Sequence, residues 1–209
     1  TVFIPSTVED SNNSILDAVH LFQQEFHIQD QVEIVTTKNI PTSSGLGGGS
    51  SNSTAVLKEL IKINKLEVEL SKQRELAFQL SSDSPFFVSG GCSLVEGQGE
   101  KITTGLGISN LWSVIFTPLN IEISNKTRFM YSLLSKQHYS DGSITTEIFN
   151  SINQPNSDLL QLLSNTVNTF EQVIDQAFLE YKYLKDNLLS LGVSFVRLSG
   201  SGPSFYTIV

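Results

Sequence analysis

The sequence predicts an α+β fold. Helical stripes and short strand-like runs are mixed without strict alternation, and two of the strand runs close on glycine turns. With 209 residues, 39% hydrophobic and thirteen of them Phe, the chain suffices for one sizeable domain or two small lobes with a packed core. No internal repeat is visible.

The first element is an amphipathic helix over Asn13–Phe26. Ile15, Ala18, Val19, Phe22 and Phe26 share one face, behind a Ser/Asn cluster that offers an N-cap. "DQVEIVTTKNIP" alternates Val32, Ile34 and Thr36, the pattern of a half-buried strand, and Pro41 stops it. A glycine-rich tract follows. Ala55, Val56, Leu60, Ile61 and Ile63 then mark a second helix, and residues 71–80 a third. "SSDSPFF" reads as a turn that leads into a short apolar strand over residues 86–88. "GGCSLVEGQGEKIT" reads as a hairpin, and "NLWSVIFTPL" as a buried strand closed by Pro118. Helices are expected over residues 126–135, 143–151, 158–163 and, longest, 166–191. "GVSFVRLSGSGPSFYTIV" closes the chain as two strands around a small glycine turn.

Composition narrows the function. A net charge of −8 argues against a broad nucleic-acid surface, so an anionic ligand would be held by backbone N–H groups and a few local cations. The one cysteine, Cys92, excludes an internal disulfide, and His20, His27 and His138 lack metal-ligand spacing. No apolar run approaches the ~20 residues of a membrane span. The opening "TVFIPSTVED" lacks the form of a signal peptide. The chain therefore reads as soluble and intracellular.

The tract "NIPTSSGLGGGSSNSTAVLKEL" carries the functional signal. A Gly/Ser linker is one reading. The tract is short, however, and is bounded directly by a strand-like and a helix-like run. Glycines let a backbone turn sharply and approach a ligand, and a helix starting near Ser50 adds free N–H groups and the positive end of its dipole. Phosphate binding is the favoured reading. Ser50, Ser51 and Asn52 add donors, with Ser50 a candidate magnesium ligand. The tract fits neither G-x-x-x-x-G-K-S/T, for want of the lysine, nor the usual dinucleotide register, because residues 41–44 separate the strand from Gly45.

It does resemble the Pro-x-x-x-Gly-Leu-Gly/Ala-x-x-Ser-Ser motif of the GHMP kinases. "SSDSPFFVSGGCSLVEGQGEKI" is similar to the Asp-x-Pro-Phe-Phe segment of one branch of that family, with its downstream Gly-x-Gly-Glu, and "VRLSGSGPSFY" resembles the third family motif. The resemblance implies a two-lobed α+β kinase fold. Residues 1–108 would form the N-terminal, ATP-binding domain, and 109–209 a ferredoxin-like C-terminal domain. It implies ATP as co-substrate with Mg²⁺, and a small-molecule substrate, here a cytidine diphosphate-linked polyol. It implies no nucleic-acid or membrane partner, a monomer or weak homodimer, and a cytoplasmic or plastid-stromal setting. A homoserine- or mevalonate-type substrate, or a non-catalytic nucleotide-binding role, are the alternatives.

By the same resemblance Asp83 is the catalytic aspartate that guides the proton of the attacking hydroxyl. Pro41, Ser44, Gly45, Leu46, Gly47, Gly48, Gly49, Ser50, Ser51 and Asn52 form the phosphate loop, and Lys38 lies near the adenine. Gly200 and Gly202 belong to the third motif, which packs beside that loop. Phe129, with Tyr131 second, is the candidate for stacking on the cytosine ring. Residue by residue, plainer readings stand beside these: Asp83 as a turn opener, Lys38 as a solvated strand end, Phe129 as core on a stripe with Leu133, Glu96 and Glu100 as exposed hairpin charges, and Cys92 as a small buried side chain. The family's first motif, a Lys-x-Asn-Leu strand that supplies a second catalytic residue, has no counterpart. The resemblance starts mid-domain and stops soon after the third motif, so the sequence is expected to be a piece of a longer protein and inactive by itself.

Overall fold

A computed structural model describes residues 13–29, 31–108, 111–118, 125–155 and 157–209. The opening stretch from Thr1 lies outside these residues. The chain divides into two units: residues up to Asn39 together with Gly47–Thr104, and Ile40–Leu46 together with Gly105–Val209. Residues 40–46, which the sequence reading groups with the first domain, thus pack within the second unit.

Among the described residues, the first unit is built on four helices and a hairpin. Helix α1 (Ser14–Phe26) is started by Asn13, whose Oδ1 accepts the Ile15 N–H at 3.0 Å. Helix α2 (Gly48–Ile63) begins at the glycine tract, and α3 (Leu70–Leu80) and α4 (Ser84–Ser89) follow. The core gathers Val19 and Phe22 of α1, Leu57, Leu60 and Ile61 of α2, Leu76 and Ala77 of α3, and Val88 of α4. Strands β1 (Ser93–Glu96) and β2 (Lys101–Thr104) pair antiparallel as the predicted hairpin.

Two expectations fail here. Residues 32–36 take no part in a strand pair among the described residues, although Val32 and Ile34 do pack on the core while Glu33 and Val35 face solvent. Alternation reports side-chain burial, whereas a strand also needs a backbone partner. Residues 86–88 are helical, not extended. Pro85 stands at the start of α4, where a missing N–H costs nothing, and the Ser84 N–H is taken by Ser81.

The second unit holds a three-stranded antiparallel sheet in the order β3 (Ser113–Phe116), β5 (Phe205–Ile208), β4 (Arg197–Leu198). Strand β3 is an edge strand and not a buried one: Val114 and Ile115 are exposed, and Trp112 beside it is 78% exposed. Helices α5 (Lys126–Ser132), α6 (Ser143–Ile152), α7 (Leu159–Ser164), α8 (Ile174–Ala177) and α9 (Tyr181–Ser190) complete the unit. Its core joins Met130, Val173, Ile174, Phe178, Tyr181, Val196, Leu198 and Phe205.

The single helix expected over residues 166–191 is instead broken into a 3₁₀ turn (Thr169–Gln172), α8 and α9. Asn168 explains the late start. Its side chain accepts the Phe170 N–H and donates to the carbonyls of Leu198 and Gly200, a tertiary use that outcompetes helix continuation. Phe178 leaves the helical conformation between α8 and α9, at φ −135° and ψ 84°, and its side chain is buried in the core.

The first unit depends on α2, the helix that follows the glycine tract. Leu57 is 1% exposed within it. Leu57→Ala is expected to destabilise the fold by about 2–5 kcal/mol in a urea melt.

Candidate functional site

Along the glycine tract the backbone alternates in hand. Ser43, Gly45 and Gly47 have φ of 53°, 83° and 67°, while Ser44 and Leu46 between them do not take positive φ. Alternation of this kind turns successive N–H groups toward one side and makes a concavity that suits an anion.

The hydrogen bonds of the second unit explain how the loop holds that shape. The Ser43 carbonyl accepts from Lys126 Nζ at 2.8 Å, the Ser44 carbonyl from the Ser204 N–H at 3.0 Å, and the Gly45 carbonyl from Ser199 Oγ at 2.9 Å. Three consecutive carbonyls are thereby tied to the body of the unit. A planar trans peptide carries its N–H on the edge opposite its carbonyl. The amides of Ser44, Gly45 and Leu46 therefore face away from these ties, and they donate to no group among the described residues.

Gly45 has a further reason to be glycine. A Cβ there would lie 2.4 Å from the Ser199 carbonyl oxygen and 2.7 Å from that of Gly202. Gly200 and Gly202, at φ of 53° and 75°, form the turn that comes this close, braced by the Gly202 N–H on the Ser199 carbonyl. Pro41 is exposed at the start of the loop, and Lys38, exposed before it, makes no hydrogen bond or ion pair among the described residues.

In the first unit, Gly47 is the N-cap of α2, and Gly48, Gly49, Ser50 and Ser51 form its first turn, which contains no acidic residue. A helix N-terminus leaves its leading N–H groups unpaired and carries partial positive charge. A chain of hydroxyls ties this turn to the Asp83 segment. Ser50 Oγ lies 2.8 Å from Ser81 Oγ, which lies 2.7 Å from Ser84 Oγ, and Thr54 Oγ1 donates to the Ser84 carbonyl at 3.1 Å. Asn52 is half-buried one position beyond Ser51.

Asp83 occupies the N-cap position of α4, yet its side chain caps nothing. Ser81 does that work: its carbonyl and its Oγ both accept the Ser84 N–H. Asp83 does stand in a turn, as its plain reading has it, but its exposed carboxylate caps nothing and makes no hydrogen bond or ion pair among the described residues. The hairpin turn supports this segment from the other side. Gly99, at φ 114°, packs so close to the Ser82 carbonyl that a Cβ would meet it at 1.9 Å. Glu100 is exposed on the hairpin, as expected, and also braces its turn. It accepts the Gln98 N–H at 2.6 Å, and its hydrogen bonds to turn amides hold its carboxyl below the usual range.

Phe129 lies on α5 but is exposed, contrary to its reading as core on a stripe with Leu133; the helix buries Lys126 and Met130 instead. Tyr131 and Gly200 both line a cavity of about 510 Å³ in the second unit, with Phe170, Arg197 and Tyr206. Phe129 is not among its lining residues. Cys92 is half-buried, and burial pushes its thiol up, away from reactivity. Sequence reasoning missed Lys126, Ser81, Ser199 and Ser204. The last two stand in the quoted third motif, while Lys126, in "SNKTRF", carried no signal.

Comparison with known proteins agrees with this arrangement. Residues 13–91 match the family model described as the GHMP kinases N terminal domain. A protein of Listeria monocytogenes serotype 4b is 33% identical over 207 residues, which cover 99% of this chain and 68% of that protein. The chain belongs to the GHMP kinases. That Listeria protein is named 4-diphosphocytidyl-2-C-methyl-D-erythritol kinase, as is a Dehalococcoides mccartyi protein that is 32% identical over 212 residues, 100% of this chain and 73% of its own length. Among solved structures, a 4-(cytidine 5'-diphospho)-2C-methyl-D-erythritol kinase matches with a TM-score of 0.74 at 25% identity, over 99% of this chain and 72% of that one. A homoserine kinase from Cytophaga hutchinsonii reaches the same TM-score at 18% identity, over 100% of this chain and 72% of that one, and so shows the fold alone.

Gly45→Ala places a Cβ against two backbone carbonyls at a φ that costs an L-residue roughly 1–2 kcal/mol. Nucleotide affinity, measured by titration calorimetry, is expected to fall about tenfold or more, a change that corresponds to roughly 1.4 kcal/mol.

Proposed function

We propose that the protein transfers the γ-phosphoryl group of ATP to the 2-hydroxyl of 4-diphosphocytidyl-2-C-methyl-D-erythritol, a step in isoprenoid precursor synthesis by the non-mevalonate route. The observation that carries the kinase reading is the row of amides at Ser44, Gly45 and Leu46, which donate to no group among the described residues while their neighbouring carbonyls are all held from behind. The substrate reading is supported by relatives that share about a third of their residues with nearly the whole chain, since the fold by itself fits a homoserine kinase as well as a cytidyl-substrate kinase.

Phosphoryl transfer asks the protein mainly for positioning and for neutralisation of charge. In this reading Pro41–Ser51 cradle the phosphates and Asn52 extends the donor set. Asp83, free of capping duty, accepts or orients the proton of the attacking hydroxyl. Lys38 borders the adenine, Phe129 or Tyr131 offers a ring face to the cytosine, and Gly200 and Gly202 support the loop.

Ser50 Oγ, a hard oxygen donor, fits Mg²⁺, which takes few protein ligands and keeps waters and phosphate oxygens. That no group of three or more His, Cys, Asp or Glu among the described residues could hold a metal is compatible with such an ion. When bound, Mg²⁺ supplies charge neutralisation on the phosphates. The protein is expected to act as a monomer or weak homodimer in the cytoplasm. Among the described residues no helix is long and apolar enough to cross a membrane.

ATP consumption by the full-length protein, tested with the cytidyl substrate, homoserine and mevalonate, is expected with the first alone. Turnover of another alcohol would reassign the substrate, and nucleotide binding without any turnover would remove the enzyme reading. Asp83→Asn is expected to lower kcat about 10²-fold or more while ATP binding stays within about twofold. Unchanged kcat would strip Asp83 of its role.

A further inference from the structure

Lys126 is the one lysine among the described residues that the fold buries, at 7% exposed, and the mechanism above uses its hold on the Ser43 carbonyl but not its charge. It opens α5 and lies on the same helical face as the fully buried Met130. Its ammonium donates to two backbone carbonyls, that of Ser43 in the glycine tract and that of Gly202 in the third-motif turn. No carboxylate lies within 4 Å of it among the described residues.

A buried cation without a counter-ion is costly, and the segments it bonds supply none: neither residues 40–46 nor residues 199–204 contain a titratable side chain, and Glu122, four positions before it in sequence, lies outside the described residues. On α5 the other titratable groups, Arg128 and Tyr131, are exposed. A leucine or methionine would fill the same space on this helix face without that cost. Among the described residues nothing balances this charge, and an anion held in front of the loop would.

We propose that Lys126 is the cation of this phosphate site, a positioning residue that holds the loop from behind and offsets the charge of an anion held in front. The inference rests on the reading of the loop as a phosphate site. Two effects work together. The ammonium fixes the Ser43 carbonyl and so sets the direction of the Ser44 amide on the same peptide plane. It also polarises that peptide, which makes the Ser44 N–H a stronger donor toward an anion. In Gly-Lys-Ser/Thr loops a lysine within the loop reaches the phosphates themselves. Here the charge comes from 83 residues further along the chain and acts through the backbone.

The site has a pH signature with opposite signs in two measurements. Burial lowers the Lys126 pKa from the ordinary 10.5 to about 8. Between these values the unfolded chain binds more protons than the folded one, so Lys126 makes stability rise with pH across that window. Anion affinity should fall across the same window as the charge is lost. A residue with only a packing role would give the first trend without the second.

The test is ATP binding to the full-length protein by titration calorimetry, with thermal unfolding in parallel. Lys126→Met is expected to weaken ATP binding about tenfold or more, and Lys126→Arg, which keeps charge and two-carbonyl reach, to stay within about threefold. Wild-type affinity is expected to decline above about pH 8 while that of Lys126→Arg stays level, because its guanidinium does not titrate there. Affinity of Lys126→Met equal to wild type overturns the proposal. Should that variant fail to fold, a wild-type affinity that is flat with pH overturns it instead. Wild-type protein that binds no ATP at any pH removes the phosphate-site reading itself, and this is seen before any variant is made.

Discussion

The carbonyl and the amide of a trans peptide sit on opposite edges of one plane, so whatever grips the carbonyls of Ser43, Ser44 and Gly45 decides where the next three amides face. In this protein the grip comes from a side-chain ammonium, a backbone N–H and a hydroxyl, contributed by α5 and by the turn between β4 and β5. The glycine at 45 follows from the closeness of that turn. The alternation of φ along the tract follows from the need to bring successive carbonyls to the same side. The loop is thus a surface shaped by its backing, with flexibility used only to reach the shape.

The Asp83 segment solves a related problem. A carboxylate just before a helix would ordinarily bond the first turn and be spent there. Ser81 takes over that bonding with both its carbonyl and its hydroxyl, and Gly99 of the hairpin presses on the Ser82 backbone. The aspartate is held in place by its neighbours while its own oxygens bond nothing among the described residues. Position without consumption is what a proton-guiding group requires.

Much of this was legible in the residues. The helices expected before residue 166, the hairpin and the closing strand pair all appear where the pattern put them, with α5 ending at Ser132, three residues early. The glycine tract announced itself by composition and by its place before a helix. What failed did so for physical reasons. Val32 and Ile34 do face inward, but side-chain alternation is silent about backbone partners. Phe86 and Phe87 look strand-like until Ser81 and Pro85 start a helix under them. The stretch 166–191 has helical periodicity that Asn168 and Phe178 override by long-range bonds and burial. Lys126 was illegible because a lysine in a polar stretch gives no local sign that its partners lie 83 and 76 residues away.

The three hydroxyls of Ser50, Ser81 and Ser84 have one more property. Each link is short enough for either oxygen to donate, and the Ser84 N–H adds a second bond to Ser81 Oγ whichever way the protons run. If the protons point inward, from Ser50 to Ser81 to Ser84, a lone pair of Ser50 faces out and suits a cation. If they point outward, Ser50 presents a proton and suits a phosphate oxygen. Ser81 is fully satisfied in both arrangements, as donor once and acceptor twice. The two arrangements differ at the buried Ser84: among the described residues its O–H finds an acceptor only when the protons run outward. The start of α2 therefore favours presenting a proton, and turning the row to offer a lone pair would cost that bond.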